Sequence, residues 1–356
     1  MKIMITGNLG YVGPVLVEYL KREYPSYELT GFDTGFYKPY VMDGTHHVDP
    51  HIQIIGDIRT VDASLLKGLD AVIHLAAISN DPIGNHYEEA TYEINHRASI
   101  RLARLCKDSG VKRFAFASSC SVYGSADDNP RTERSTLNPL TAYAKSKIMT
   151  EEALQPLADE SFHITCLRFA TACGMSPRLR LDLVLNDFVA SAIALDAIRI
   201  LSDGKPWRPL IHVKDMARAF DWAIHRSDSD PEHFRIVNAG SNEWNYQVAE
   251  LAHAVAEQFP GVKVEINRSA PADKRSYRVD FSFYKQLNPK KYPRVTLPEA
   301  ISTLKSGLLD SNFQDRSFRE GKLMRLNILQ DLRSNDRING NLEWTHLSNE
   351  VPGNRD

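Results

Sequence analysis

Tyr143 and Lys147 are the residues whose types and spacing point most directly to chemistry. A helix through Thr141-Ala142-Tyr143-Ala144-Lys145-Ser146-Lys147 sets them four residues apart on one face. A free phenol titrates near 10, so a tyrosine held partly ionised at neutral pH needs about 4 kcal/mol of preference for phenolate. A neighbouring ammonium supplies a field of that sign, and a bound cation such as oxidised nicotinamide adds to it. The expectation is an acid/base tyrosine with a lowered pKa. The same pair also fits an amphipathic helix with a packed tyrosine and a solvated lysine, so the surrounding elements have to decide.

The first half of the chain supplies those elements. Lys2-Ile3-Met4-Ile5-Thr6 reads as a buried strand that runs into Gly7-Asn8-Leu9-Gly10-Tyr11-Val12-Gly13 and a helix from about Tyr11 to Arg22. Strand, glycine turn and helix form the context of a dinucleotide fingerprint: the glycines allow close backbone approach, and the helix N-terminus holds a pyrophosphate. The next strand, Glu28 to Phe32, ends at Asp33, about 20 residues past the turn, where an acid meets the adenosine ribose. A carboxylate there repels a 2′-phosphate, so NAD is expected over NADP; an Asp that simply caps a turn is the plainer alternative. Strands follow at Ile52 to Ile55, Ala71 to Leu75, Arg113 to Ala117 and His163 to Phe169, with a helix from about Glu88 to Ser109. This alternation predicts an α/β fold with a Rossmann-type doubly wound parallel sheet. Ser118-Ser119-Cys120-Ser121-Val122-Tyr123-Gly124 then falls at the C-terminal end of a strand, where ligands sit in such sheets.

Beyond Phe169 the regularity breaks. Helices are read at Leu183 to Leu195, after Asp215 to Arg226, at Tyr246 to Phe259, Pro298 to Leu308 and Phe318 to Leu332, with strands at Ile198 to Leu201, Arg235 to Ala239 and Val262 to Ile266. The expected division is an NAD-binding domain over 1–172, completed by roughly 204–240, and a smaller interleaved α/β substrate portion over 173–203 and 241–356. The last dozen residues are polar and expected to fray.

Lys+Arg 43 against Asp+Glu 45 leaves a net charge of −2 in 356 residues, without the basic footprint of a nucleic-acid or membrane-surface binder. No apolar run reaches the length of a membrane span, and the first strand at Lys2 leaves no room for a signal peptide, so a cytoplasmic protein is expected. Cys106, Cys120, Cys166 and Cys173 lack CxxC spacing and read as reduced thiols. The stretch Thr45-His46-His47-Val48-Asp49-Pro50-His51 carries metal-ligand types, but within one surface loop; an active-site rim is the alternative, and no metal is expected.

Taken together, these motifs resemble the extended short-chain dehydrogenase/reductase family in its nucleotide-sugar epimerase/dehydratase branch, over nearly the whole chain. The glycine turn, Asp33, Asp57-Ile58, His74-Leu75-Ala76-Ala77, Asn95, Ser118-Ser119 before Val122-Tyr123-Gly124, and Tyr143 with Lys147 occur in the family's order. The resemblance implies that Tyr143 is the acid/base, that Lys147 lowers its pKa and holds the nicotinamide ribose, and that Ser119 hydrogen-bonds the reacting sugar oxygen. It implies NAD contacts at Asp57, Ile58, Leu75, Ala76, Ala77 and Asn95, a nucleoside-diphosphate sugar as substrate, and a homodimer.

Family dehydratases resemble Thr-Asp-Glu where this chain has Ser119-Cys120-Ser121, a match that places Cys120 and Ser121 with Ser119 at the substrate, and the decarboxylase branch also keeps a Glu there. Neither carboxylate is present, so the resemblance implies epimerisation, at C4, through a transient 4-ketosugar. Dehydrogenase or ketosugar-reductase chemistry, and a non-catalytic dinucleotide sensor, are the alternatives. Arg208 and Arg275 match positions that commonly bind the diphosphate, and Asn186 matches a helix asparagine that helps hold it. Phe169-Ala170-Thr171 departs from the epimerase Tyr-Phe-Asn, placing Thr171 at the sugar, while Arg178 and Arg180 have no evident counterpart. These arginines suit an acidic or otherwise unusual sugar or a different pyrophosphate pose.

Overall fold

The computed structural model describes residues 1–125, 129–227, 230–270 and 276–345. Arg275 and nearly all of the polar C-terminal dozen lie outside the described residues. In chain order the strands are β1 (Lys2–Thr6), β2 (Glu28–Asp33), β3 (Ile52–Ile55), β4 (Ala71–His74), β5 (Arg113–Ser119), β6 (His163–Phe169), β7 (Thr171–Cys173), β8 (Ala197–Ile200), β9 (Trp207–His212), β10 (Phe234–Ala239), β11 (Asn245–Gln247) and β12 (Lys263–Ile266).

A seven-stranded sheet runs β10-β6-β5-β4-β1-β2-β3, all parallel. Parallel strands must bury both faces. Ile3 and Ile5 of β1 pack toward the helices Gly13–Glu23 and Val213–Ile224, while Met4 packs toward the side that buries Leu102 and Leu154. The order reverses at β1, between β4 and β2, which opens a crevice beyond their C-terminal ends. This is the Rossmann-type α/β fold read from the sequence.

The smaller lobe holds a three-stranded sheet, β11-β9-β7, and a parallel pair, β12-β8. Its core is built from the helices Val184–Leu195, Val248–Glu257 and Leu297–Asp310. β7 and β11 have three residues each, too few for a period-two pattern to show.

Two helices differ from expectation. The stretch read as one helix from Glu88 to Ser109 is helix Glu88–Tyr92, a wider π turn over Glu93–Ala98, and helix Ser99–Asp108. The hydroxyls of Ser99 and Thr150 both donate to the Asn95 carbonyl, replacing the regular backbone partner. The helix read from Phe318 to Leu332 begins only at Arg325, because the turn Phe318–Glu320 closes on itself when Gly321 N–H donates to the Phe318 carbonyl. The tail then leaves the smaller lobe. Leu329, Ile338 and Leu342 share a core with Met4, Phe32 and Ile58 of the Rossmann half, so the assignment of all of 241–356 to the substrate portion ends too late. Among the described residues no helix is long and apolar enough to cross a membrane.

Candidate active site

A cleft of about 1150 Å³ follows the crevice at the sheet's C-terminal edge. One end is the glycine turn. Gly7 has φ +73°, and a Cβ there would stand 2.5 Å from the Ala76 nitrogen, so only glycine lets β1 turn beneath the loop after β4. A Cβ on Gly13 would lie 2.1 Å from the Asn8 carbonyl oxygen, which fixes the helix start against the turn. Gly7, Gly10, Tyr11 and Val12 line the cleft, whereas Asn8 turns away to donate to Gln53 Oε1 at 2.6 Å and Leu9 contributes its N–H to Asp33.

Asp33 lies at the cleft wall with its carboxylate engaged: Oδ2 accepts from Leu9 N at 3.0 Å and Oδ1 from Gly35 N at 2.8 Å. Burial pushes its pKa up, and these two N–H groups oppose the rise. Asp57, Ile58, Leu75, Ala76 and Ala77 complete this wall. The residues present fit a dinucleotide: a cradle that no side chain fills, a helix N-terminus, and an acid at the end of β2. Asn95 does not line the cleft. Fully buried, it accepts from Ile78 N at 2.7 Å and donates to Ile78 O and to Ser146 Oγ, tying the loop after β4 to the helix of Tyr143.

At the other end, Thr141 caps helix Ala142–Leu154 by accepting from Ala144 N, and this aims Tyr143 and Lys147 at the end of β5. Tyr143 and Ser119 both line the cleft here, and Ser119 Oγ accepts from Ser121 N at 3.1 Å. Lys147 Nζ donates to the Ala117 carbonyl at 2.7 Å and stands 5.6 Å from the centre of the Tyr143 ring. The pair is present, but its electrostatics differ from expectation. Burial pushes the Tyr143 pKa up to about 12 against the lowering influence of Ser119, and nearby Asp81 adds to the rise. Burial pulls Lys147 down to about 7, against the attraction of Glu151. Desolvation, which spacing does not show, is the largest influence on both groups.

Of the residues assigned to the substrate, Ser119, Ser121, Thr171, Arg180 and Arg208 line the cleft. Cys120 does not: it is buried, its Sγ contacts the Arg168 carbonyl at 3.1 Å, and burial raises its thiol pKa, so it packs as a small residue. Asn186 is fully buried and spends its amide on Gly174 N, Arg180 O and the Tyr11 hydroxyl, so it shapes the loop behind the cleft instead of facing it. Arg178 is likewise behind it, donating to the carbonyls of Tyr37 and Lys38, both at 2.7 Å. In the 45–51 loop, His51 Nδ1 accepts from Leu29 N and His47 pairs with Asp49. All four cysteines are free and buried.

The sequence reading missed a polar bridge across the cleft. Arg180 donates to Ser79 Oγ at 3.0 Å and pairs with Asp182, which also accepts from Asn80 Nδ2 at 2.7 Å. Burial opposes ionisation of Asp182, yet the Arg180 guanidinium holds it below the usual carboxylate range. Arg-Leu-Asp at two-residue spacing was the available signal. Missed too was the network beneath the site, where buried Glu151 accepts from Ser118 Oγ and pairs with Arg168 at 2.6 Å.

Residues 3–240 match the family model described as the NAD dependent epimerase/dehydratase family. The chain belongs to that family, and is an NAD-dependent enzyme of the nucleotide-sugar epimerase and dehydratase type. It is 31% identical over 230 residues to an uncharacterized UDP-glucose epimerase, YtcB, of Bacillus subtilis, covering 61% of this chain and 71% of the relative. It is 25% identical over 312 residues to UDP-glucuronic acid decarboxylase 3 of Arabidopsis thaliana, covering 85% and 87%. The solved UDP-glucose-4-epimerase from Stenotrophomonas maltophila, with bound NAD and formylated UDP-arabinopyranose, matches in fold with a TM-score of 0.75 and 22% identity, over 88% of this chain and 99% of that one.

Proposed function

We propose that this protein is a nucleotide-sugar C4 epimerase acting on a UDP-hexose. The observation that carries the reading is that Ser119, Tyr143 and Lys147 line one cleft at the end of β5, beside positions 120 and 121 that hold a buried thiol and a hydroxyl in place of carboxylates. Gly7, Gly10, Tyr11, Val12, Asp33, Asp57, Ile58 and Ala76 hold NAD, which supplies a reversible two-electron oxidation of the sugar carbinol. Ser119 orients the C4 hydroxyl, and Tyr143 takes its proton and later returns it. Lys147, anchored on the Ala117 carbonyl, holds its amine 5.6 Å from the centre of the tyrosine ring. With no elimination acid or base at 120 and 121, the 4-ketosugar turns over and is reduced on its other face. Arg208, with Arg275, binds the diphosphate. Two copies pair through the helices of Asn95 and Tyr143, on the face where Met149 is exposed.

The test is conversion of UDP-glucose to UDP-galactose, within a panel of nucleotide sugars, with no added cofactor and no accumulating NADH. Net NADH, or loss of water from the product, overturns it. A second reading has one observation behind it: Asp81 lines the cleft, accepts from Thr141 Oγ1 at 2.7 Å and acts electrostatically on Tyr143. A carboxylate so placed favours elimination from the same ketone.

A further inference from the structure

Residues 335–345 fold onto the rim where Asp33 and Asp57 stand, and the matched family region ends at residue 240, well before them. Residues 336–345 brace themselves first. Ile338 bridges Trp344, Asn339 Oδ1 accepts from both Asn341 N and Glu343 N, and Thr345 N donates to the Arg337 carbonyl. Leu342 takes φ +56°, a left-handed conformation that a leucine keeps only when its surroundings hold it, and it is fully buried at the cleft wall.

Three attachments join this loop to the rim. Trp344 Nε1 donates to the carbonyl of Thr34, the residue after Asp33, at 2.8 Å, and its ring lies 5.1 Å from that of Phe36. Arg59, the residue after Ile58, donates to the Asn341 carbonyl at 2.8 Å and the Leu342 carbonyl at 3.0 Å. The same guanidinium grips Asp57, with Nε 2.9 Å from Oδ1. The two segments that end β2 and follow β3 are therefore tied to each other through the tail. In a doubly wound sheet that end of the crevice takes the adenosine half of the dinucleotide.

We propose that residues 336–345 form a clasp that fixes the adenosine end of the NAD site and slows cofactor release. This rests on the placement of NAD given above, and its consequence is chemical: an enzyme that reduces the ketosugar with the cofactor it has just used gains from slow exchange, whereas one that exchanges cofactor each turnover does not.

The experiment measures NAD release from the full-length holoenzyme after dilution into an enzyme trap that consumes free NAD, together with amide exchange across 336–345. Trp344→Phe removes the N–H to Thr34 and keeps a ring against Phe36; Arg59→Met removes the guanidinium and keeps the stem. Release is expected to quicken about fivefold in the first and more in the second, as one and then several hydrogen bonds are lost. In the wild type, NAD is expected to slow amide exchange at Arg337, Asn339 and Thr345. Release rates that match the wild type in both folded variants, or exchange indifferent to NAD, overturn the clasp and leave the epimerase reading standing. A wild-type protein that fails to hold NAD at all overturns both.

Discussion

The two ends of the cleft handle polar groups in opposite ways. Around Asp33 and Asp57 the carboxylates are already satisfied by the chain: Leu9 and Gly35 amides hold one, and Arg59 grips the other. Around Tyr143 and Lys147 burial drives both groups toward their neutral forms, one up to about 12 and the other down to about 7. The adenosine end is finished as built and suits holding. The nicotinamide end leaves its proton equilibrium to be completed by what binds, and suits transfer.

The largest effect should come from Tyr143→Phe. Turnover is expected to fall about 10³-fold or more while bound NAD is nearly unchanged, read by steady-state rates and cofactor content; retained turnover removes the contrast. Lys147→Met should give the next largest effect, on stability. Lys147 falls from 10.5 to about 7 on folding, so between those values the unfolded chain binds more protons, and stability of the cofactor-free protein rises with pH across that window. Its burial cost is complete below about 7. In Lys147→Met the rise should flatten, read by denaturant unfolding at pH 7 and 9.5; an unchanged slope means that another group carries it. Asp33→Ala should sharpen the comparison from the far end, weakening NAD by about 10- to 100-fold, as charge-assisted hydrogen bonds are lost, with kcat kept at saturating cofactor. Titration of NAD checks this, and a fall in kcat with unchanged affinity would reverse the roles of the two ends. The smallest effect is Thr141→Ala, about 1 kcal/mol of stability from the lost cap, seen as a modest shift in the unfolding midpoint.

What the sequence made legible follows the same division. Strand, glycine turn and helix over residues 2–23, the acid at Asp33, and the tyrosine and lysine four apart are local patterns, and the structure keeps them together. The bridge across the cleft is not local: Arg180 reaches Ser79 across 101 positions of chain, and Asn80 reaches Asp182 across 102. No local period announces such a contact. The clasp was hidden for the same reason, since Trp344 and Thr34 are 310 positions apart. The direction of the Tyr143 and Lys147 shifts was illegible for another reason: spacing gives the sign of a charge but not how dry its surroundings are.

The π turn at Glu93–Ala98 has a consequence for how this chain tolerates change in length. A π turn holds about one residue more than an α turn within the same full rotation, so the extra residue is absorbed without turning one flanking helix against the other. Removing a single residue there would give the unbroken helix that the sequence suggests and leave the two halves nearly in phase, so that Leu102, Ala103 and Cys106 stay buried. What would change is the Asn95 carbonyl, which would regain a regular backbone partner in place of the Ser99 and Thr150 hydroxyls. The extra residue is thus a reserve of length that the chain can give up at the expense of that one junction.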